Sequence, residues 1–199
     1  MGVLGMTVGG RPRRLLEATY EATSYQGWFS FTRDPRSAQL TAACKLYVSP
    51  RPEALADAFP LIADAFVRSG VRSFKVGRGV EGLLRPDKII AYFEDRAHMD
   101  QVASALRRSL RGCPAQGVPF AADVWGDGLL ASGVDPPPSH AATSWRSWVT
   151  KRLAVSLTTE RSAPSEDPVA VVFADLRSAG IDPLRWTATA DAFRAPQPP

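Results

Sequence analysis

The sequence predicts an α+β protein in which helices pack on a small, mostly antiparallel sheet. Three short segments alternate apolar and polar residues as half-buried strands do: Ala43–Ser49, Ser73–Gly77 and Lys88–Glu94. Apolar residues recur at helical spacing over 52–69 and 96–111. Strands that give way to a run of helices favour this class over a strictly alternating α/β fold.

The remaining elements follow from breakers and caps. Pro60 lies inside the helical pattern of 52–69 and is expected to kink or split it. A long stretch rich in Gly and Pro, Cys113–Ala142, is expected to be irregular. Helical patterns then cover about 143–158, a segment capped by Ser165, and a short segment after Asp182.

Length and composition describe an ordinary globular protein. The chain has 199 residues, of which 45% are hydrophobic and 22% charged, and this favours one domain with tails. Residues 1–40 are expected to be a leader and a peptide-contact segment, 41–193 a single domain, and 194–199 a disordered tail. Within the first segment an aromatic patch runs from Tyr25 to Phe31; core packing and peptide contact are both open for it.

Several features indicate a cytoplasmic protein. The two cysteines, Cys44 and Cys113, have no repeated spacing, which argues for a reducing compartment. The N-terminal residues do not form a secretory signal. No apolar run approaches the roughly 20 residues of a membrane span, so no membrane partner is expected.

Arginine greatly outnumbers lysine among the basic residues. Net charge is +4, and only four of the 24 Lys and Arg residues are lysines. A GC-rich genome would produce this excess of arginine, and so would a surface built for phosphate, because a guanidinium group matches phosphate oxygens. No aromatic platform interleaves with the basic residues and no helix-turn-helix pattern is present, so a nucleic-acid partner is not expected.

Familiar catalytic motifs are incomplete. The segment Gly77–Gly82 spells GxGxxG after a strand, but no helix is predicted to follow it, so a glycine-rich hairpin is expected rather than a dinucleotide site. A cysteine phosphatase carries an arginine six residues after its catalytic cysteine. Here the residues six positions after Cys44 and Cys113 are Pro50 and Pro119. The two histidines have no zinc-site spacing and there is no GxSxG motif. Neither a metal nor a cofactor is expected.

Cationic and phenolic side chains follow the same alternation on all three predicted strands. Lys45 and Tyr47 point away from the apolar side of the first strand, Lys75 does so on the second, and Tyr92 does so on the third, with Arg85 leading into it. Such faces are commonly solvated. A positive cluster on one face repels itself unless an anion binds there, however, so a phosphate site is also predicted.

The charges of this cluster suggest a reaction. Arg85 and Lys45 are suited to hold a phosphate dianion. A second lysine beside them has its ammonium form destabilised by like charge and can then act as a neutral base. Such a base beside a bound phosphoester suits removal of the Cα proton and expulsion of phosphate from Cβ. The product is dehydroalanine from phosphoserine or dehydrobutyrine from phosphothreonine.

At these residues the chain resembles a known family. Lys45-Leu-Tyr47-Val-Ser49 is similar to the Lys-Phe-His-Ile-Ser signature of the phosphothreonine lyases among type III effectors, and the segments around Lys75 and Arg85–Tyr92 are similar to later motifs of the same enzymes. The order of motifs over 43–157 also resembles effector-like lyases that act as separate enzymes in lanthipeptide and thioamide-peptide biosynthesis.

The resemblance implies a role for each matching residue. Lys75 would be the general base, and Arg85 with help from Lys45 would bind phosphate. Arg146, or Arg152, would close on the phosphate from a late helix, and Tyr92 would position phosphate or substrate backbone. The effectors protonate the departing phosphate with a histidine, where this chain has Tyr47, so Tyr47, Lys45 or solvent remains open as the acid.

The resemblance also implies partners. The substrate would be a phosphorylated precursor peptide made by a separate Ser/Thr kinase, and a cyclase is kept open as a further partner. The aromatic patch and Cys113–Ala142 are then candidate peptide-contact surfaces. Two alternatives stay open: a host-directed phosphothreonine lyase effector, and a non-catalytic partner that binds the phosphopeptide or leader of a separate kinase's substrate.

Overall fold

A computed structural model describes residues 10–35, 44–137, 140, 143–162 and 165–189. The helices are α1 Gly10–Thr19, α2 Leu55–Arg68 after a 3₁₀ turn at Pro52–Ala54, α3 Gly79–Leu84, α4 Arg96–Ser109, α5 Trp145–Ser162 and α6 Pro168–Ser178. The strands are β1 Glu21–Tyr25, β2 Trp28–Thr32, β3 Cys44–Val48, β4 Ser73–Gly77, β5 Ile89–Phe93, β6 Ala122–Asp123, β7 Leu130–Gly133, β8 Ile181–Asp182 and β9 Thr187–Ala188.

Seven strands form one sheet in the order β1-β2-β4-β5-β3-β7-β6. The pairs β1–β2, β2–β4, β4–β5 and β3–β5 are antiparallel. The predicted α+β class, with helices on a mostly antiparallel sheet, is confirmed. The expected domain began at residue 41, whereas β1 and β2 already belong to the sheet. The expected tail 194–199 lies outside the described residues.

The described residues form two compact units. The first comprises the described residues up to Val118 together with Asp123–Ser132, and the second comprises Pro119–Ala122 with the described residues from Gly133 onward. Among the described helices, none combines the length and apolar character that crossing a membrane requires.

One face of the sheet forms the core of the first unit with the helices. The alternation of β3, β4 and β5 turns apolar residues to this side, and the apolar stripes of α2 and α4 cover them. The buried side chains include Leu46, Val48, Phe74, Val76, Ile89, Phe93, Phe59, Ile62, Phe66, Met99, Val102 and Leu106. The predicted apolar faces of both helices are therefore confirmed. The other face of the sheet points away from these two helices.

Two expectations about helix breakers differ from the structure: the split expected at Pro60, beside the alternative of a kink, does not occur, and the glycine-rich hairpin is replaced by a helix. α2 runs without interruption through Pro60. The carbonyl that a residue at position 60 would bond belongs to Ala56, which is exposed, so water can satisfy it. The Gly77–Gly82 segment is not a hairpin, because α3 begins at Gly79. β4 and β5 on either side of α3 are antiparallel, so the parallel strands of a dinucleotide fold are absent there.

The expected irregular stretch Cys113–Ala142 contains regular structure. β7 is buried along its length and β6 precedes it, so the described part of this stretch is not one loop. Residues 138, 139, 141 and 142 lie outside the described residues. The sequence missed both strands because each is only two to four residues long.

The second unit is built mainly from two helices. α5 and α6 pack together with the β8–β9 hairpin around Trp145, Val149, Leu176 and Ile181. The cap of α6 is Asp167, whose carboxylate accepts the Ala170 amide, and not Ser165 as expected. The short helix expected after Asp182 is replaced by a turn and β9.

Candidate active site

The pairing of β3, β5 and β4 places four of the predicted site residues on one face of the sheet. Lys45 lies directly opposite Tyr92, and Tyr47 lies opposite Ile90. Lys75 is opposite Ile90 on the other side of β5. Residues paired across a sheet point to the same face, as do alternate residues along a strand. Lys45, Tyr47, Lys75 and Tyr92 therefore share the face that lies away from the helical core.

Three cations on this face are connected by two aromatic rings. The Nζ atoms of Lys45 and Lys75 lie 5.6 and 5.8 Å from the centroid of the Tyr92 ring. Lys75 Nζ is also 4.4 Å from the centroid of the Trp28 ring, and the Arg85 Cζ atom is 5.1 Å from that centroid. Each ring is thus shared by two cations. Through these two rings the structure brings Lys45, Lys75 and Arg85 to one region, and their binding of a phosphate stays a prediction.

Arg85 is held by a neighbouring carboxylate. Its Nε and Nη2 atoms donate to Asp87 Oδ1 and Oδ2 at 2.9 and 3.0 Å. These hydrogen bonds raise the pKa of Arg85. The Asp87 side chain is 9% exposed and that of Arg85 is 49% exposed. A guanidinium group has five N–H donors, so Arg85 keeps donors for an anion while Asp87 fixes its plane.

The backbone around Arg85 is fixed from two sides. Arg85 follows the last residue of α3 and precedes Pro86, which favours its extended conformation. The Ser49 hydroxyl donates to the Pro86 carbonyl at 2.7 Å, and the Gln116 amide donates to the Leu84 carbonyl at 3.0 Å. Because the segment that carries Arg85 is tied to residues next to β3, the position of Arg85 relative to Lys45 is fixed by direct contacts.

Lys88 is a buried lysine that supports this arrangement. It is 0% exposed, and its ammonium group donates to the Pro50 carbonyl at 2.8 Å and to the Gln116 side-chain oxygen. Burial lowers the pKa of Lys88 to about 8. Since Gln116 also binds Leu84, Lys88 orients one of the groups that hold the Arg85 segment.

Tyr47 lies on the same sheet face as Lys45 and Lys75. It lies on the same row as Lys75, with Ile90 between them, and is only 2% exposed. A phenol both donates and accepts hydrogen bonds. The part of Tyr47 as the acid stays a prediction, beside Lys45 and solvent.

Arg146 and Arg152 lie on α5 in the second unit. The Arg146 Nε atom donates to the Pro119 carbonyl at 2.8 Å, and Arg152 is exposed. Their part in closing on a phosphate stays a prediction.

Four residues of the site were not predicted as parts of it: Trp28, Asp87, Lys88 and Gln116. Trp28 was expected to contact peptide or core. Its alternation with the buried Phe29 is the sequence pattern that could have placed it on the site's face of the sheet. Asp87 stands two residues after Arg85, and at this spacing its carboxylate can reach the guanidinium group. The roles of Lys88 and Gln116 depend on acceptors distant in sequence, so no local pattern indicates them.

The two cysteines show the features of structural thiols. Burial raises the pKa of Cys44 and of Cys113, which disfavours the thiolate. Over the described ranges, His, Cys, Asp and Glu do not gather in groups of three or more that could hold a metal ion.

Comparison with known proteins gives matches among solved structures. No family model matches the chain, and no curated protein matches it in sequence. The effector protein from Pseudomonas syringae pv. syringae strain 61 is 16% identical with a TM-score of 0.56, covering 82% of this chain and 63% of its own. A phosphothreonine lyase is 12% identical with a TM-score of 0.50, covering 64% of this chain and 73% of its own.

The type III effector OspF from Shigella flexneri, also a phosphothreonine lyase, is 12% identical with a TM-score of 0.49, covering 66% of this chain and 83% of its own. A phosphothreonine lyase is thus among the solved structures that this chain resembles, at low sequence identity. What the matches establish for this chain is its fold, which is that of the phosphothreonine lyases.

Proposed function

We propose that the chain is a carbon–oxygen lyase that eliminates phosphate from phosphoserine or phosphothreonine in a peptide. The observation that carries this proposal is the sharing of the Tyr92 and Trp28 rings by Lys45, Lys75 and Arg85. Basic side chains gathered on one sheet face favour the binding of an anion, and a phosphoester dianion would supply one. The shared fold with phosphothreonine lyases points to the same chemistry.

In the proposed reaction Lys75 in its neutral form removes the Cα proton. The electron pair of the broken C–H bond forms the Cα=Cβ double bond, and the Cβ–O bond breaks with its electrons leaving on phosphate. Lys75 becomes an ammonium ion, the peptide becomes a dehydroamino acid, and phosphate departs. No other reactant is needed. Lys75 suits the base because it lies between the other two cations on the rings they share.

Arg85 and Lys45 bind the phosphate in this proposal. Arg85 offers the donors that Asp87 leaves unused, and Lys45 approaches from the other end of the cluster beside Tyr92. Their charges stabilise the negative charge that grows on the leaving oxygen. Arg146, or Arg152, is proposed as an additional phosphate ligand from α5.

Protonation of the departing phosphate is assigned to Tyr47, with Lys45 as the alternative. Tyr47 occupies the position of the histidine in the effector signature, and its burial on the row of Lys75 keeps a donor inside the face. A buried phenol is a weaker acid than an imidazolium ion, so this chain would rely more on its cations to stabilise the leaving phosphate.

The proposed substrate is a phosphorylated precursor peptide in lanthipeptide-type maturation, prepared by a separate Ser/Thr kinase, with a cyclase acting later. This finer proposal is supported by the resemblance of the motif order to stand-alone lyases of those pathways. A host-directed effector is the second candidate, which the fold shared with the Pseudomonas effector favours. A non-catalytic phosphopeptide binder is the third, and the tyrosine at position 47 is the feature that favours it.

Mass spectrometry of a phosphothreonine peptide incubated with the protein tests the function. Elimination removes phosphoric acid and lowers the peptide mass by about 98 Da, whereas hydrolysis would lower it by about 80 Da; the first value follows from abstraction of the Cα proton. A binder would leave the mass unchanged. Addition of a thiol to the product confirms the double bond, because an alkene conjugated to a carbonyl accepts it.

A further inference from the structure

The Trp28 ring lies against two of the three cations of the site. Its centroid is 4.4 Å from Lys75 Nζ and 5.1 Å from Arg85 Cζ. Trp28 is half-buried and belongs to β2, which precedes the segment that carries the family resemblance. No role follows for it from the resemblance, so its contacts are a property of this structure.

The fold explains why the ring can reach Lys75. β1 and β2 are joined by Gln26 and Gly27, both with positive φ, which is the geometry of a tight hairpin turn. Trp28, the first residue of β2, pairs with Gly77 on β4. The space beside Gly77 is filled by the Gly82 backbone, and the Trp28 ring lies against Lys75, which pairs with the next residue on the same face, Ser30.

We propose that Trp28 is a positioning residue of the elimination: it holds Lys75 and Arg85 against one ring and stabilises the positive charge that Lys75 gains when it takes the Cα proton. The inference rests on the proposed function. A neutral amine gains little from an aromatic face, whereas an ammonium ion is attracted to it. The contact therefore strengthens as the proton is transferred, which is the condition for lowering the barrier.

The groups around Lys75 determine how the pH dependence of kcat would change when the contact between Trp28 and Lys75 is lost. Tyr92 lies against it from β5, and Trp28 and Ser30 lie beside it on β2. Arg85, with its partner Asp87, shares the Trp28 ring with Lys75, and Lys45 on β3 shares the Tyr92 ring. The two rings favour the ammonium form, while Arg85 and Lys45 oppose it. Loss of the Trp28 ring would leave the opposing charges in place, so Lys75 would become neutral at lower pH.

The test compares Trp28→Leu and Trp28→Phe with the native protein in kcat and KM for a phosphothreonine peptide from pH 6 to 10. Trp28→Leu is expected to lower kcat by roughly 5- to 30-fold and to move the acid limb of the kcat profile down by about half a pH unit or more. Trp28→Phe, which keeps a ring, is expected to stay within about threefold of the native kcat. Phe173→Leu is the matched control, because the Phe173 ring lies 5.9 Å from the Arg177 Cζ atom on α6, which carries none of the site residues.

The outcomes separate the inference from the function it rests on. A native protein that eliminates no phosphate would overturn the proposed function and this inference with it. Native turnover with an unshifted acid limb in Trp28→Leu would overturn the inference alone, even if kcat fell, since a structural defect lowers kcat without changing the limb. If the melting temperature shows that Trp28→Leu does not fold, Trp28→Met provides the same comparison.

Discussion

Gly77 at the end of β4 and Gly82 in α3 lie backbone against backbone. A Cβ atom on Gly77 would stand 2.2 Å from the Gly82 carbonyl oxygen, and one on Gly82 would stand 2.7 Å from the Gly77 carbonyl carbon. Neither neighbour is a flexible side chain that can move away. The two glycines therefore fix the direction in which α3 leaves the sheet, and with it the position of Arg85 immediately after the helix.

Replacing Gly82 by alanine should displace α3. We expect Gly82→Ala to lower the free energy of unfolding by roughly 2–4 kcal/mol, because the new methyl group meets backbone on both sides. Urea denaturation measures this change. Val80→Ala, on the same helix at a position 74% exposed, is the control and should change stability by less than about 0.5 kcal/mol. Equal effects of the two substitutions would contradict the close approach.

Asp87→Asn should weaken the contacts that orient the Arg85 guanidinium group while leaving Arg85 itself in place. The amide keeps the shape of the carboxylate but loses its charge and one of the two accepted hydrogen bonds, so Arg85 is less well oriented for phosphate. We expect the Kd for a phosphopeptide to rise by about tenfold, which corresponds to one charge-assisted hydrogen bond. Titration calorimetry measures the Kd. Glu94→Gln, which breaks the exposed Arg72–Glu94 pair, is the control and should leave it unchanged.

Lys88 should make stability depend on pH. Its folded pKa is lowered from 10.5 to about 8, so between these values the unfolded chain holds more protons than the folded one. Stability then rises with pH across this window, by up to about 3 kcal/mol from this one group. Urea denaturation at pH 7.5, 9 and 10 should show that increment in the native protein and not in Lys88→Met.

The comparison concerns the slope with pH and not the absolute stability, because Lys88→Met also leaves the Pro50 carbonyl and the Gln116 oxygen without their donor. Lys151→Met, at an exposed position of α5, is the matched control and should keep the native slope. Native and Lys88→Met proteins with parallel pH dependence would contradict the assignment.

Tyr47→Phe tests the proton donor. If the Tyr47 hydroxyl protonates the departing phosphate, its loss should lower kcat by about 100-fold while the Kd for the phosphopeptide stays within about twofold. Stopped assays by mass spectrometry give kcat. Unchanged turnover in Tyr47→Phe, together with a large loss in Lys45→Met, would move the acid to Lys45.

The sequence predicts which residues share the face of the candidate site, because that face follows from period-two alternation alone. Lys45, Tyr47, Lys75 and Tyr92 were placed on one side of their strands, and the register of β3, β4 and β5 puts them on one side of the sheet. The register itself comes from tertiary packing, so the sequence could place these residues on a face but could not say which ones would lie opposite each other.

Three features of the structure were not predicted from the sequence, each for a physical reason. α3 has six residues and two glycines, and therefore neither a full apolar stripe nor a good helix propensity indicates it. Trp28 lies beside Lys75 because of the register between β2 and β4, which no local pattern reveals. Lys88 reads as a surface lysine until Pro50 and Gln116 are brought to it by the fold.

The central claim is that Lys75 removes a proton on the face it shares with Lys45 and Arg85. Its most direct test is the rate of phosphate elimination by Lys75→Ala, measured by mass spectrometry at saturating phosphothreonine peptide, with the Kd measured separately. The account predicts a loss of kcat of at least about 1000-fold with the Kd within a few-fold of the native value. Turnover by Lys75→Ala within tenfold of the native protein would contradict it.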